Sequence, residues 1–227
     1  LGAVTLRYGT GDERSAEQVK RATEHAEAAL KRWGHLQGPV EFKVLGSHEA
    51  LEAATGRRYA WLRAWARYSE VLIQSPRTWG LLRADDAAVE ELVVHELTHC
   101  LMYQLAADEA SWPHKGIPLW FREGMASVTA HQGYRRAPRA EISRFYREHL
   151  DDPLRDADDL YAQHPDVVYG AAHLAFERLE AQFGADAVRA LLARMRQGCL
   201  FDEAFQLTFG ESRSTFERDF RGWALAP

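Results

Sequence analysis

Apolar and polar residues alternate over VTLRY (4–8), PVEFKVL (39–45) and SEVLIQSP (69–76), the period of two expected of strands. From Ser15 to Trp33, apolar and alanine positions recur at helical spacing, and Gly34 is a natural stop. A shorter helix fits 48–55. The opening therefore reads strand–helix–strand–helix–strand, an α/β layer.

At Asp85 the period changes. DDAAVEELVVHELTHCLMYQLAA reads as one long helix, with acids at its start where they favour the helix dipole. Residues 107–117, broken by Pro113 and Gly116, read as a loop. Pro118 suits the first turn of a following helix, PLWFREGMASVTAHQ, with Gly133 as its stop. Further helices are expected over 139–150, 167–183, 185–197, 200–208 and 212–223, with Gly184, Gly198 and Gly210 separating the last four. The Asp- and Pro-containing stretch 151–166 reads as irregular. The expected fold class is α+β. A small mixed sheet with helices occupies 1–84, and 85–227 is mostly helical. No repeat or strong linker breaks the chain, so one domain over 1–227 is expected, with a cleft between its two subregions.

Composition narrows function more than fold. The 227 residues are 46% hydrophobic and 27% charged, an ordinary globular balance with enough apolar matter for a core. Net charge is −5, and the arginines read as scattered among acids, so no nucleic-acid footprint is expected. No run of eighteen apolar residues predicts a membrane-spanning helix. Cys100 and Cys199 leave one possible disulfide, which would pin the long helix to the C-terminal ones. Nothing in the pattern fixes an oligomeric state.

Chemistry concentrates in VVHELTHCLMY, residues 93–103. Residues four apart share a helix face, so His95 and His99 can aim both imidazoles at one ion. Glu96 can hang beside that ion without ligating it, the place of a base acting on water. Neutral imidazoles in a site with one open position suit zinc, one ion per chain. The plain alternative is two unrelated histidines, but an apolar helix makes a buried, unpartnered His–His–Glu set costly. A third protein ligand is needed, and Glu123 in PLWFREGMASV is the best placed. A return of the chain through 107–117 would bring it back, with Trp120, Phe121 and Met125 packing its helix and Gly124 allowing close approach to the first helix.

HELTH followed by PLWFREGMA resembles the gluzincin zinc metallopeptidases, and in particular is similar to the small peptidase MA-like domains. The resemblance implies a zincin-like fold, metal ligands His95, His99 and Glu123, and Glu96 as general base. It also implies an oxyanion donor on a later helix; VVYGAAHLAFERLEAQFG resembles that helix and points to Tyr169. The tail GCLFDEAFQLTFGESRSTFERDFRGW resembles the group's closing helices. Two features depart from related groups. The third histidine that comes after the first pair in metzincins is absent, and so is the Gly-x-Met-Glu-Asn segment of aminopeptidases.

The expectation is a secreted or otherwise extracytoplasmic hydrolase acting on peptide or protein substrates, endopeptidase-like. An extended substrate would pair with an open edge of strand 69–76. His173, four residues after Tyr169, His114 in the loop, and Trp79 after the strand are further candidates for the substrate cleft. A zinc amidase on a non-protein amide, or a non-catalytic domain retaining a metal, would show the same ligands.

Overall fold

The computed structural model describes residues 4–80, 85–135 and 137–227. The chain forms two compact units, one running to Trp112 and the other starting at Pro113. The subregion boundary expected at residue 84 lies outside the described residues.

In the first unit, β1 (Val4–Tyr8), β2 (Val40–Leu45), β3 (Ala64–Ala66) and β4 (Glu70–Gln74) form one mixed sheet, ordered β1-β2-β4-β3. The first three strands of that order run parallel, and β3 lies antiparallel at the edge beside β4. Parallel neighbours need crossovers. Helices α1 (Glu13–Leu30) and α2 (His48–Thr55) lie in the two connections.

Alternation decides the faces. Val40, Phe42 and Val44 are buried, and the register sets Phe42 beside Val71 and Val44 beside Ile73. The opposite face carries Leu72, which packs with Leu51 of α2 and Leu62, under a cover of Tyr59, Trp61 and Trp65. Glu41, Lys43 and Glu70 form an ion-paired ladder on that second face. The sequence pattern missed β3, and β3 corrects one expectation. Strand β4 has neighbours on both sides, so it offers no open edge, and among the described residues the outer strands of the sheet are β1 and β3.

Helix α3 (Asp86–Ala106) begins where Asp85 accepts a hydrogen bond from the Ala88 amide at 2.7 Å. Nearly every position from Val93 to Ala106 is buried, so this is a core helix rather than a surface one. Its far end is clamped by Gln104. That side chain accepts from the amides of Gln37 (2.8 Å) and Gly38 (3.0 Å) and donates to the Tyr68 carbonyl (3.1 Å). A fully buried amide with three backbone partners fixes the helix against two loops.

The second unit is helical: α4 (Leu119–Thr129), α5 (Arg139–Glu148), α6 (Ala157–Leu160), α7 (Pro165–Arg196), α8 (Phe201–Phe209) and α9 (Arg213–Leu225). Gly184 interrupts α7 with φ of 80°, a left-handed value that glycine takes without strain. Helix α4 stops at Thr129, short of Gly133, and His131 rather than a glycine turns the chain with φ of 55°.

The unit's core is aromatic. Trp120 stacks on Phe216 with centroids 5.3 Å apart, and Phe121 meets Phe176 and Phe201 at 5.3 and 5.0 Å. Gly124 permits the contact of α4 with α7. A Cβ there would lie 2.4 Å from the Ala172 carbonyl oxygen and 2.5 Å from Phe176 Cβ. This corrects the expected partner of Gly124, which is α7 and not α3. The segment leading into α4 is tied down by Lys115, whose ammonium donates to the carbonyls of Met195 (2.6 Å) and Cys199 (3.3 Å) at the end of α7.

Candidate metal centre

His95, Glu96 and His99 are all buried, exposing 7%, 6% and 6% of their surfaces. The helical repeat sets the two rings on one side of α3, and the Nε2 atoms lie 3.2 Å apart. Thr98 between them turns its hydroxyl back to the Val94 carbonyl at 2.7 Å, so it adds no ligand. Glu123 stands one turn into α4, half-buried, and Ser127 lies four residues on along the same helix face. One ligand atom from each of His95, His99 and Glu123 lies within 4.8 Å of the others.

The donor set fits a metal ion. Two nitrogens each about 2.0–2.1 Å from a tetrahedral ion stand about 3.3 Å apart, close to what the two imidazoles already show. Two neutral imidazoles and one carboxylate bring a single negative charge, which suits a divalent cation and leaves a coordination place open. The His95–His99–Glu123 cluster is thus geometrically suited to hold a metal and to support metal-dependent hydrolytic chemistry.

No protein-family model and no curated protein matches this chain. The site itself therefore has to carry the functional reading.

Stacking steadies one ligand. The His99 ring lies nearly parallel to Tyr103, 14° between planes and 6.1 Å between centroids, and Tyr103 stacks in turn on Trp112 at 4.2 Å. Beside His99, Cys100 is fully buried, and its thiol donates to the Arg67 carbonyl at 3.1 Å. Burial pushes that thiol well above its ordinary pKa, and the charge of Glu96 pushes the same way. Cys100 and Cys199 are both free thiols, so the disulfide weighed from the sequence is not formed.

The other sequence-derived candidates fall in distinct places. The Tyr169 hydroxyl, on α7, lies 2.6 Å from the hydroxyl of Tyr161. His173 is buried on the same helix, with Nδ1 2.6 Å from Ser127 Oγ on α4. The Trp79 indole donates to the Gln74 carbonyl at 2.9 Å and so closes the turn after β4. His114 is exposed in a short turn. Sequence reasoning missed Ser127 and Tyr161. Ser127 had one available signal, its helical spacing from Glu123; Tyr161, the C-cap of the short helix α6, had none.

Proposed function

We propose that this chain is a zinc-dependent peptidase of the gluzincin type, with His95, His99 and Glu123 as the metal ligands. The observation that carries the reading is the convergence of three ligand atoms, two of them from one HELTH turn, beside a buried glutamate that is not among them. A purely structural zinc site is more readily closed by a fourth Cys or His.

Zinc held there would supply a Lewis acid that acidifies water and polarises the scissile carbonyl. Glu96 takes the proton of the attacking water as oxygen approaches the carbonyl carbon. Its carboxyl group then returns that proton to the departing amine nitrogen, so no covalent enzyme intermediate forms. Tyr169 donates a hydrogen bond from its hydroxyl to the developing oxyanion and keeps its proton, with the Tyr161 hydroxyl 2.6 Å away as its partner. An extended substrate laid along an outer strand of the sheet, β3, would favour endopeptidase-like action.

Elemental analysis of the purified protein beside a His99→Ala control is the decisive test. The expected outcome is about one zinc per chain in the wild type, lost in the control. Wild-type protein that holds no zinc after reconstitution sinks the reading.

A further inference from the structure

Serine and threonine hydroxyls occur at three places on the helices that carry the metal ligands, and one of them behaves differently. Thr98 of α3 and Thr129 of α4 each donate to the carbonyl four residues back, Val94 and Met125, at 2.7 Å. That is a common fate of such groups inside a helix. For Ser127 of α4 the same bond would end on Glu123, and it is not made. Ser127 Oγ instead lies 2.6 Å from Nδ1 of His173 on α7, and among the described residues this is its one hydrogen bond. Both side chains are buried.

Elsewhere this helix pair meets through apolar groups. Phe121 packs on Phe176, and Gly124 lies against Ala172 and Phe176. Along α4 from Phe121 through Gly124 to Ser127, the partners on α7 run back from Phe176 to His173, so the two helices are antiparallel. Helix α7 is also held at Gly170, where a Cβ would lie 2.7 Å from the Ala137 amide nitrogen. Two glycines in contact with neighbouring backbone leave α7 little room to shift. His173 is therefore a fixed post against which α4 is set.

Apolar contacts are non-directional and resist the turning of a helix about its axis only weakly. A hydrogen bond weakens steeply once it is off line. Ser127 follows Glu123 by one turn on the same face, so whatever fixes the rotation of α4 at Ser127 also fixes the direction of Glu123. A side chain reaches about 5 Å from the helix axis, so a rotation of about 10° moves a carboxylate by about 1 Å. Metal ligation tolerates deviations of about 0.2 Å. His95 and His99 are set against each other by one helix, whereas Glu123 comes from a different one and needs its own support.

We infer that Ser127 and His173 are positioning residues for the metal centre: their hydrogen bond sets the rotation of α4 and so aims Glu123. The inference rests on the metal-binding reading of the His95–His99–Glu123 cluster, and it assigns His173 to the support of a ligand.

The test is the zinc dissociation constant of the full chain, read by competition with a chromogenic chelator. Ser127→Ala should weaken zinc binding about tenfold, the low end for loss of a partner that orients a ligand. His173→Phe should do the same, and the double variant should be no worse than either single one, because all three remove the same contact. Ser127→Thr keeps a hydroxyl and should hold zinc within about twofold of the wild type. Phe176→Leu loosens the same helix contact without touching the pair; it should lower the melting temperature and leave zinc affinity within about twofold. In cobalt-loaded protein, the visible absorption band should change in Ser127→Ala and not in Phe176→Leu. Two results overturn the proposal. One is zinc binding in Ser127→Ala and His173→Phe that matches the wild type. The other is a Phe176→Leu variant that loses zinc as strongly as Ser127→Ala, which would make any softening of the interface sufficient. Should His173→Phe fail to fold, Ser127→Ala against Ser127→Thr still decides the matter. Failure of the metal reading looks different: the wild type itself then takes up no zinc, and the positioning role falls with it.

Discussion

A buried carboxylate, Glu217, and a half-buried one, Glu123, have opposite surroundings. Glu217 of α9 is almost fully enclosed, and the chain supplies its partners. The Trp120 indole donates at 3.0 Å, Arg213 at 3.1 Å, and Arg155 stands 3.4 Å away. At the His95–His99–Glu123 cluster, one ligand atom from each residue lies within 4.8 Å of the others, a set that could hold a cation. Burial of polar groups therefore does not mark a functional site by itself. What separates the two places is convergence: arginines and an indole surround Glu217, whereas two imidazoles and a carboxylate aim single ligand atoms at one point.

The sharpest way to break that contrast is Glu96→Gln. It should lower kcat on a peptide substrate by about a thousandfold while zinc content stays at the wild-type level, because it removes proton transfer and leaves the ligands alone. Loss of metal together with activity would mean that Glu96 is structural, like Glu217.

Glu217→Ala is expected to cost about 3 kcal/mol or more in urea unfolding, since it strands two arginines and an indole around a buried position. Zinc content per folded chain should not change. Glu217 also has a pH signature. Burial raises its carboxyl above the ordinary value of 4.5, against the pull of Arg213, Trp120 and Arg155. The folded state then holds that proton more tightly than the unfolded chain. This contribution to stability is complete below 4.5 and is lost as pH rises through the folded value. Glu217→Gln should flatten that part of the stability profile; an unchanged slope would count against the raised carboxyl.

Gly124→Ala should destabilise the second unit by about 1–3 kcal/mol, because the new methyl meets a backbone carbonyl on α7. Thermal unfolding with and without zinc reads this directly. The smallest effect is chemical. Iodoacetamide should modify Cys199 in the native protein and leave Cys100 untouched until urea opens the fold, which peptide mapping would detect.

Much of the site was legible because its rules are local. Two histidines four apart on an apolar helix share a face wherever that helix packs, and Asp85 announces its start. The return of Glu123 was readable as a need for a third ligand, and the structure brings the three together. Tertiary choices were not legible. Gly124 signals close approach but not to which helix, and α7 rather than α3 takes the place. Strand β3 has three residues, too few to show a period, yet it closes the side of β4 that the sequence left open. Tyr161 lies in a stretch that reads as irregular, and only folding brings its hydroxyl to Tyr169.

The brevity of β3 has a consequence for solubility. An open sheet edge invites any passing strand, including one from another copy of the same chain, and long flat edges are where self-association starts. Here the invitation is three residues long and is flanked by Arg63 and Arg67. Like charges would confront one another if two such edges met in register. Arg63 and Arg67 thus act as gatekeepers against polymerisation. Lengthening the strand or neutralising its flanks should turn a guarded edge into a sticky one.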